Sequence, residues 1–298
     1  MKNQRKATLF ALITVLFWST MSSAFKLSLD WFSYDWLLFW AVGFGWLGLI
    51  LLSLFQGKLR LVFPTERRYW LKSALLGLLN PFGYYLVLFK AYELLLAQEA
   101  GVLNYSWPVI LTLLSVPLLG QKISFKALIA ILISFSGLWV ISTKGAVFSL
   151  EFSSPLGVLL AIGSAFLWAL YWIINLHDKR DAVPKITLNM GFGLLYMVIY
   201  FMLLNRWQPL NLQGISGAAY IGLFEMGFTF VLWMKALHYA ENTAKVSNLI
   251  FLSPFIALFF IRFFVGETIS ISTIVGLALI ISGIVLQEKK LKSKQIKA

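Results

Sequence analysis

The sequence predicts an all-α integral membrane protein of ten transmembrane helices, arranged as two inverted five-helix repeats with both termini cytoplasmic. Three observations carry this. Hydrophobic residues make up 60% of the chain and charged residues only 12%, against roughly half and a quarter in a soluble domain. Apolar runs long enough to cross a hydrocarbon core of about 30 Å recur ten times along 298 residues. A proline-bearing run, Leu103 to Ser124 (LNYSWPVILTLLSVPLLGQKIS), has a counterpart from Leu249 to Ser270 (LIFLSPFIALFFIRFFVGETIS), with Pro254 facing Pro108, Gly266 facing Gly120 and Ser270 facing Ser124.

The first run, about Ala7 to Phe25, follows Lys2, Arg5 and Lys6, and Ser22-Ser23-Ala24 loosely resembles a cleavage site. Because the run can span as a helix and many spans follow, it is read as part of the mature protein. The others centre near Gly45, Gly77 to Leu88, Leu111, Ile133, Ala165, Tyr196, Phe228, Leu258 and Leu279. Only short polar joints separate them, so residues 1–298 are expected to form one membrane domain, with repeats over 1–145 and 146–298.

Basic residues orient the spans. With the N-terminus cytoplasmic, 20 of the 25 Lys and Arg residues fall on that side, leaving Lys26, Lys90, Lys144, Arg206 and Arg262 on the other. The net charge of +13 thus needs no nucleic acid, and the basic tail is expected to meet only water and anionic lipid. Further repeat pairs support duplication: Ala11 to Trp18 faces Ala161 to Trp168, and Leu76 to Ala91 faces Ile221 to Ala236. Five spans per copy is an odd number, so the second copy enters the membrane inverted, as in secondary transporters.

Polar and aromatic placement suggests a cavity. On the fourth span Asn104, Trp107, Pro108, Leu111 and Ser115 share a helical face. Pro108 obstructs the Asn104 carbonyl, which then needs a partner that lipid cannot provide. The bland reading is a kink repaired by a neighbour; the matched Pro254 favours a site. On the sixth span Ser164, Trp168, Tyr171, Trp172 and Asn175 form a polar-tipped aromatic stripe, a pattern more often used for packing. Trp168 has an aromatic repeat mate in Trp18, which lies beside Ser19 and Ser22. On the third span Asn80 and Tyr84 stack one turn apart beside Pro81 and Gly83. Tyr105 reaches the cavity or faces a neighbour, and Asn248 and Ser253 approach from the cytoplasmic half.

Charges at membrane depth each need a reason. Glu225 is the deepest and aligns with Asn80 in the first half. Three readings stay open for it: a proton-coupling carboxylate, an anchor for a substrate amine, or a structural acid bonded to a Ser or Tyr. Lys90 and Glu99 are expected to snorkel at the outer face and to pair, with Lys235 at the opposite face as the repeat mate of Lys90. All three are candidate gate charges, with loop solvation as the commoner role. Arg262 and Glu267 read as interface anchors.

These features resemble a known family. The repeat, Trp18 within FWST, the two proline helices and the GQKIS and GETIS exits resemble the ten-helix carriers of the drug/metabolite transporter (DMT) superfamily, EamA-type branch, over nearly the whole chain. RKATLFALITVLFWST and NYSWP followed by GQK resemble, more narrowly, the YddG-like aromatic amino-acid exporters. The resemblance implies a central cavity lined by spans 1, 3, 4, 6, 8 and 9, and efflux of small metabolites.

The leading expectation is a secondary carrier of the bacterial inner membrane that exports amino acids, aromatic or broadly neutral, and related small metabolites. Trp18, Trp107 and Trp168 would enclose the apolar side chain, Asn80, Asn104 and Tyr84 would bond the polar end, and Glu225 would meet an ammonium or a proton. Stacking on indole also suits multidrug efflux of aromatic cations. A non-transporting receptor or channel is the alternative from another class. No enzyme is expected: His177 and His238 lie apart from carboxylate clusters, cysteine is absent, and no P-loop pattern occurs. Neither metal nor cofactor is called for. A monomer would suffice, and a homodimer through small-residue faces is compatible.

Overall fold

A computed structural model of the chain describes residues 3–119, 125–148, 154–176, 178–241, 246 and 248–295. The exit motif at 120–124, His177 and Lys245 lie outside the described residues, as does the side chain of Asn248. Among the described residues the protein is helical, with no strand.

Helix α1 (Gln4–Ser28) opens on Asn3, whose side chain accepts from the Lys6 amide at 3.0 Å. Helix α2 (Tyr34–Phe55) begins behind Ser33, and α3 (Leu59–Val62) is a single turn. The third apolar run is composite: α4 (Arg67–Gly77), a π-helical segment Leu78–Gly83, then α5 (Tyr84–Leu94). Pro81 cannot donate to a helical ladder, and Asn80 before it adopts extended backbone, φ −151° and ψ 119°.

The fourth run is also two helices, α6 (Ala97–Asn104) and α7 (Trp107–Leu119). The sequence places the kink at Pro108, but the chain breaks before it, at Tyr105 and Ser106. The Ser106 carbonyl starts α7 by accepting from Val109 and Ile110, at 3.0 and 3.2 Å. Pro108 therefore sits in a first turn, where a missing N–H costs nothing.

Helices α8 (Phe125–Ser142), α9 (Pro155–Leu176) and α10 (Ala182–Leu204) follow. The next run repeats the composite design: α11 (Leu212–Tyr220), a π-helical segment Ile221–Gly227 that carries Glu225, and α12 (Phe228–Tyr239). A 3₁₀ turn (Asn248–Leu252) then leads into α13 (Ser253–Phe260), with Pro254 again in the first turn, and α14 (Ile271–Gln295) closes the chain. The third and eighth runs thus both carry a π-helical interruption, and Pro108 and Pro254 both sit in a first turn.

Among the described residues seven helical runs are long and apolar enough to cross a membrane: Gln4–Ser28, Tyr34–Phe55, Arg67–Leu94, Ala97–Leu118, Pro155–Asn175, Ala182–Leu204 and Leu212–Tyr239. Shorter apolar helices cover Ile129–Ser142, Ser253–Val265 and Ile271–Leu286. Helix ends meet at two faces. On one, the Asn3 amide donates to the Tyr239 carbonyl at 2.8 Å and Lys58 pairs with Asp181 at 2.6 Å. On the other, Arg206 reaches the fully buried Asp35 at 3.1 Å and Gln208 donates to Ser33 at 2.7 Å.

Packing brings backbones close. A Cβ on Gly45 would stand 2.8 Å from the Gly222 carbonyl oxygen, so only glycine lets α2 approach the Glu225 segment this nearly. The interior is one large apolar cluster drawing on both halves, from Met21 and Phe25 through Tyr85 and Phe89 to Trp168, Phe230 and Ile284.

Candidate functional site

The interrupted helices converge on a cavity of about 470 Å³, within the range used for small-molecule sites. Of the residues singled out from sequence, Trp18, Ser22, Tyr84, Asn104, Tyr105, Trp107, Pro108, Trp168, Glu225 and Pro254 line it. Its walls are largely apolar and include five indoles. Trp168 packs on Tyr84 at 4.7 Å between ring centroids and on Tyr171 at 5.9 Å, while Trp18 leans on Trp233 at 5.7 Å. Trp18 and Trp107 are half-buried, whereas Trp168 is buried.

Glu225 is half-buried on the cavity wall. Its Oε1 accepts from the Tyr85 hydroxyl at 3.0 Å, and Oε2 has no hydrogen-bond partner. The π-helical segment sets this position: an extra residue per turn shifts the side chain off the regular helical stripe. Among the described lining residues Glu225 is the one charged side chain.

Asn104 is placed differently from its expected use. Its Oδ1 accepts from the Tyr84 hydroxyl at 3.2 Å and its Nδ2 donates to Ser164 at 2.8 Å. The amide thus ties α6 to α5 and α9, and its main capacity is spent on protein partners. Tyr105 donates to the Ile250 carbonyl, joining the break in the fourth run to the 3₁₀ turn before Pro254. Ser253 lines the cavity and receives a hydrogen bond from Ser19 at 3.3 Å.

Asn80 and Tyr171 do not reach the cavity. Both line a chamber of about 10 Å³ behind it, with Tyr85 and Asn189, where the Tyr171 hydroxyl faces the two amides. The backbone break at Asn80 turns the amide away from Tyr84, so the one-turn spacing that suggested a shared face no longer holds. For Asn248 only the backbone is described.

The expected Lys90–Glu99 pair does not form. Half-buried Lys90 pairs with Glu93, one turn along its own helix, and lies 4.8 Å from the Tyr34 ring centroid. Glu99 is buried, 4% exposed, and meets Lys144 at 3.9 Å. Lys235 is exposed over the Phe10 ring at 5.8 Å. Glu267, read as an interface anchor, instead turns inward and accepts from the Ala97 amide at 2.7 Å.

Sequence reasoning missed several lining residues, among them Tyr92, Gln98 and Trp233. Tyr92 and Ser22 share a hydrogen bond of 2.7 Å across α1 and α5. A signal for Gln98 was present, since an amide at the start of an apolar run needs partners. Tyr85 offered none, because adjacent Tyr84 and Tyr85 point to different neighbours.

The profile of the EamA-like transporter family matches this chain twice, over residues 5–143 and 155–287. An uncharacterised transporter of Acidianus ambivalens is 30% identical over 217 residues, covering 70% of this chain and 81% of the relative. The aromatic amino acid exporters YddG of Salmonella typhimurium and Escherichia coli are 24% and 26% identical, each alignment covering 80% of this chain and 82% of the exporter. A solved crystal structure superposes with a TM-score of 0.67 at 20% identity, covering 99% of this chain and all of the other, which supports the fold alone. With two family matches that together span most of the sequence, the chain belongs to the EamA-like transporter family of the DMT superfamily and is a multi-pass membrane transporter.

Proposed function

We propose that this transporter is a secondary carrier that exports aromatic or broadly neutral amino acids and related small metabolites by alternating access across the bacterial inner membrane. The cavity carries this reading: the indoles of Trp18, Trp107, Trp168, Trp172 and Trp233 enclose it, and Glu225 stands among them. Indole walls hold a planar side chain by stacking, and an acid at this depth meets an ammonium or a proton. That distant relatives are named aromatic amino acid exporters supports the same substrate class and direction.

Two five-helix repeats, 1–145 and 146–298, would account for the paired interruptions at Leu78–Gly83 and Ile221–Gly227 and for the paired first-turn prolines Pro108 and Pro254. The three shorter apolar helices then complete ten spans. With 20 of 25 basic residues on one side, both termini are cytoplasmic. An inverted pair supplies two near-equivalent conformations, one open to each side. Proteoliposomes loaded with labelled tryptophan, phenylalanine or alanine test the reading: saturable efflux with trans-stimulation is expected, and flux no greater than from empty vesicles would sink it.

One observation favours a second reading, efflux of aromatic cations. Among the described lining residues no cationic side chain faces Glu225, so a substrate carboxylate meets no fixed positive charge. A cationic dye that moves while amino acids do not would decide for it.

A further inference from the structure

At the end of the cavity bounded by Ala97 and Gln98 a hydrogen-bonded clasp joins the two halves of the chain. Glu267, in the segment that follows α13, accepts from the backbone amides of Ala97 at 2.7 Å and Gln98 at 3.2 Å. These are leading N–H groups of α6, which have no partner within their own helix, and a carboxylate suits the positive end of the helix dipole. The Gln98 side chain completes the clasp. Its Nε2 donates to Glu267 at 3.4 Å and to the Thr268 carbonyl at 3.0 Å, and its Oε1 accepts from the Ser270 amide and the Thr273 hydroxyl, both at 3.0 Å.

These bonds join residues about 170 positions apart, one partner in each half. Lys26 braces the same corner from α1, donating to the Tyr92 and Leu95 carbonyls at 2.9 and 2.8 Å. Gln98 is only 1% exposed to solvent and also lines the cavity. Both amide hydrogens and both acceptor sites are engaged, so a substrate group that bonds Gln98 must displace part of the clasp.

We infer that Gln98 and Glu267 form the gate at this end of the cavity, with Gln98 as the residue that couples cavity occupancy to gate opening. The inference rests on alternating access through this cavity. Opening requires the α13 exit to leave the start of α6, which breaks the carboxylate cap and the amide bonds together. Glu267 acts as a positioning residue that holds α6 in the closed arrangement; Gln98 senses the substrate because it lines the cavity while its amide holds the clasp.

The chain contains no cysteine, so one introduced thiol can report the gate. Ser22→Cys places it in the cavity, and a membrane-impermeant cationic methanethiosulfonate is added from the Gln98 side. Glu267→Ala and Gln98→Leu in this background are each expected to raise the labelling rate by about tenfold or more, as loss of charge-assisted hydrogen bonds implies. Glu267→Gln, nearly isosteric, keeps the question open to test if the alanine variant fails to fold, with an expected rise of about threefold. Unchanged labelling in folded Glu267→Gln and Gln98→Leu proteins, with melting temperatures near that of the Ser22→Cys parent, overturns the gate. A cap serving stability alone would lower the melting temperature without changing labelling from one side. In the same vesicles, a transported amino acid should accelerate labelling of the parent and not of its Gln98→Leu derivative; equal acceleration overturns the coupling. Absence of amino-acid flux would reject the export reading while leaving the gate measurement intact.

Discussion

The Tyr85 hydroxyl on α5 donates to Glu225 Oε1 on the facing π-helical segment at 3.0 Å, a bond across the two halves. It satisfies one carboxylate oxygen and leaves the other without a partner beside the cavity. Oε1 is held by Tyr85, while Oε2, buried and without a hydrogen-bond partner, is the oxygen that would take the proton in the proton-coupling reading.

Glu225→Gln is therefore expected to abolish the pH dependence of transport while leaving substrate binding measurable, since the amide oxygen still accepts from Tyr85. Counterflow and pH-gradient-driven flux, measured in the same proteoliposomes, check this. An unchanged pH profile would demote Glu225 to a structural acid. Tyr85→Phe leaves both Glu225 carboxylate oxygens without a partner and should cost about 1–3 kcal/mol of stability.

Trp107→Ala is expected to weaken aromatic substrates by about fivefold to tenfold and to spare alanine, because stacking contributes about 0.5–1.5 kcal/mol beyond area burial. Trp168→Ala should look different. Its ring is buried against Tyr84, Tyr171, Trp172 and Phe230, so its removal is expected to cost about 3–5 kcal/mol of stability as well. Competition assays with tryptophan and alanine, paired with thermal unfolding, separate the two. Equal losses for both substrates in Trp107→Ala would point to folding damage.

The all-helical, membrane-spanning character was legible because composition and run length act locally and add along the chain. Pro81 and Gly83 in the third span and the matched prolines in the fourth and ninth also marked spans that the structure interrupts. What the sequence hid was tertiary. Pro108 marks a restart rather than the kink itself, because a proline is tolerated in a first turn and the break falls at Tyr105 and Ser106. Asn104 looked like a substrate ligand because its partners, Tyr84 and Ser164, come from other helices. Glu267 caps a helix about 170 residues away, which spacing cannot reveal. The Lys90–Glu93 pair was readable from i, i+3 spacing, but the outer positions shared by Lys90 and Glu99 pointed to Glu99 instead.

Asn104→Leu is expected to act on stability more than on recognition. Removing the amide strands the Tyr84 hydroxyl and takes the Ser164 acceptor's donor away, at a cost of about 1–3 kcal/mol. The apparent affinity of the folded fraction for substrate should change by no more than about threefold. Thermal unfolding in detergent and binding on the same sample check it; a large loss of affinity with an unchanged melting temperature would restore Asn104 as a direct substrate ligand.

At the opposite face from the clasp, Asp178 holds the joint between α9 and α10. Burial pushes its carboxyl up, but hydrogen bonds and charge from Arg180, together with the Lys72 charge, outweigh burial and hold it below the ordinary carboxylate range. Arg180 grips it at 2.7 Å through Nη2, which also donates to Ser73 at 2.8 Å, tying this joint to α4. A carboxyl held low in the folded state contributes stability that is complete above the unfolded pKa of about 3.9 and fades as pH falls through the folded value. The melting temperature of the natural protein should thus exceed that of Asp178→Asn near neutral pH, and the difference should shrink below about pH 4. Unfolding scans of both proteins across that range test the sign. Parallel curves would mean that the Asp178 charge adds nothing beyond what the asparagine amide supplies, and that the joint is held by Ser73, Lys185 and packing alone.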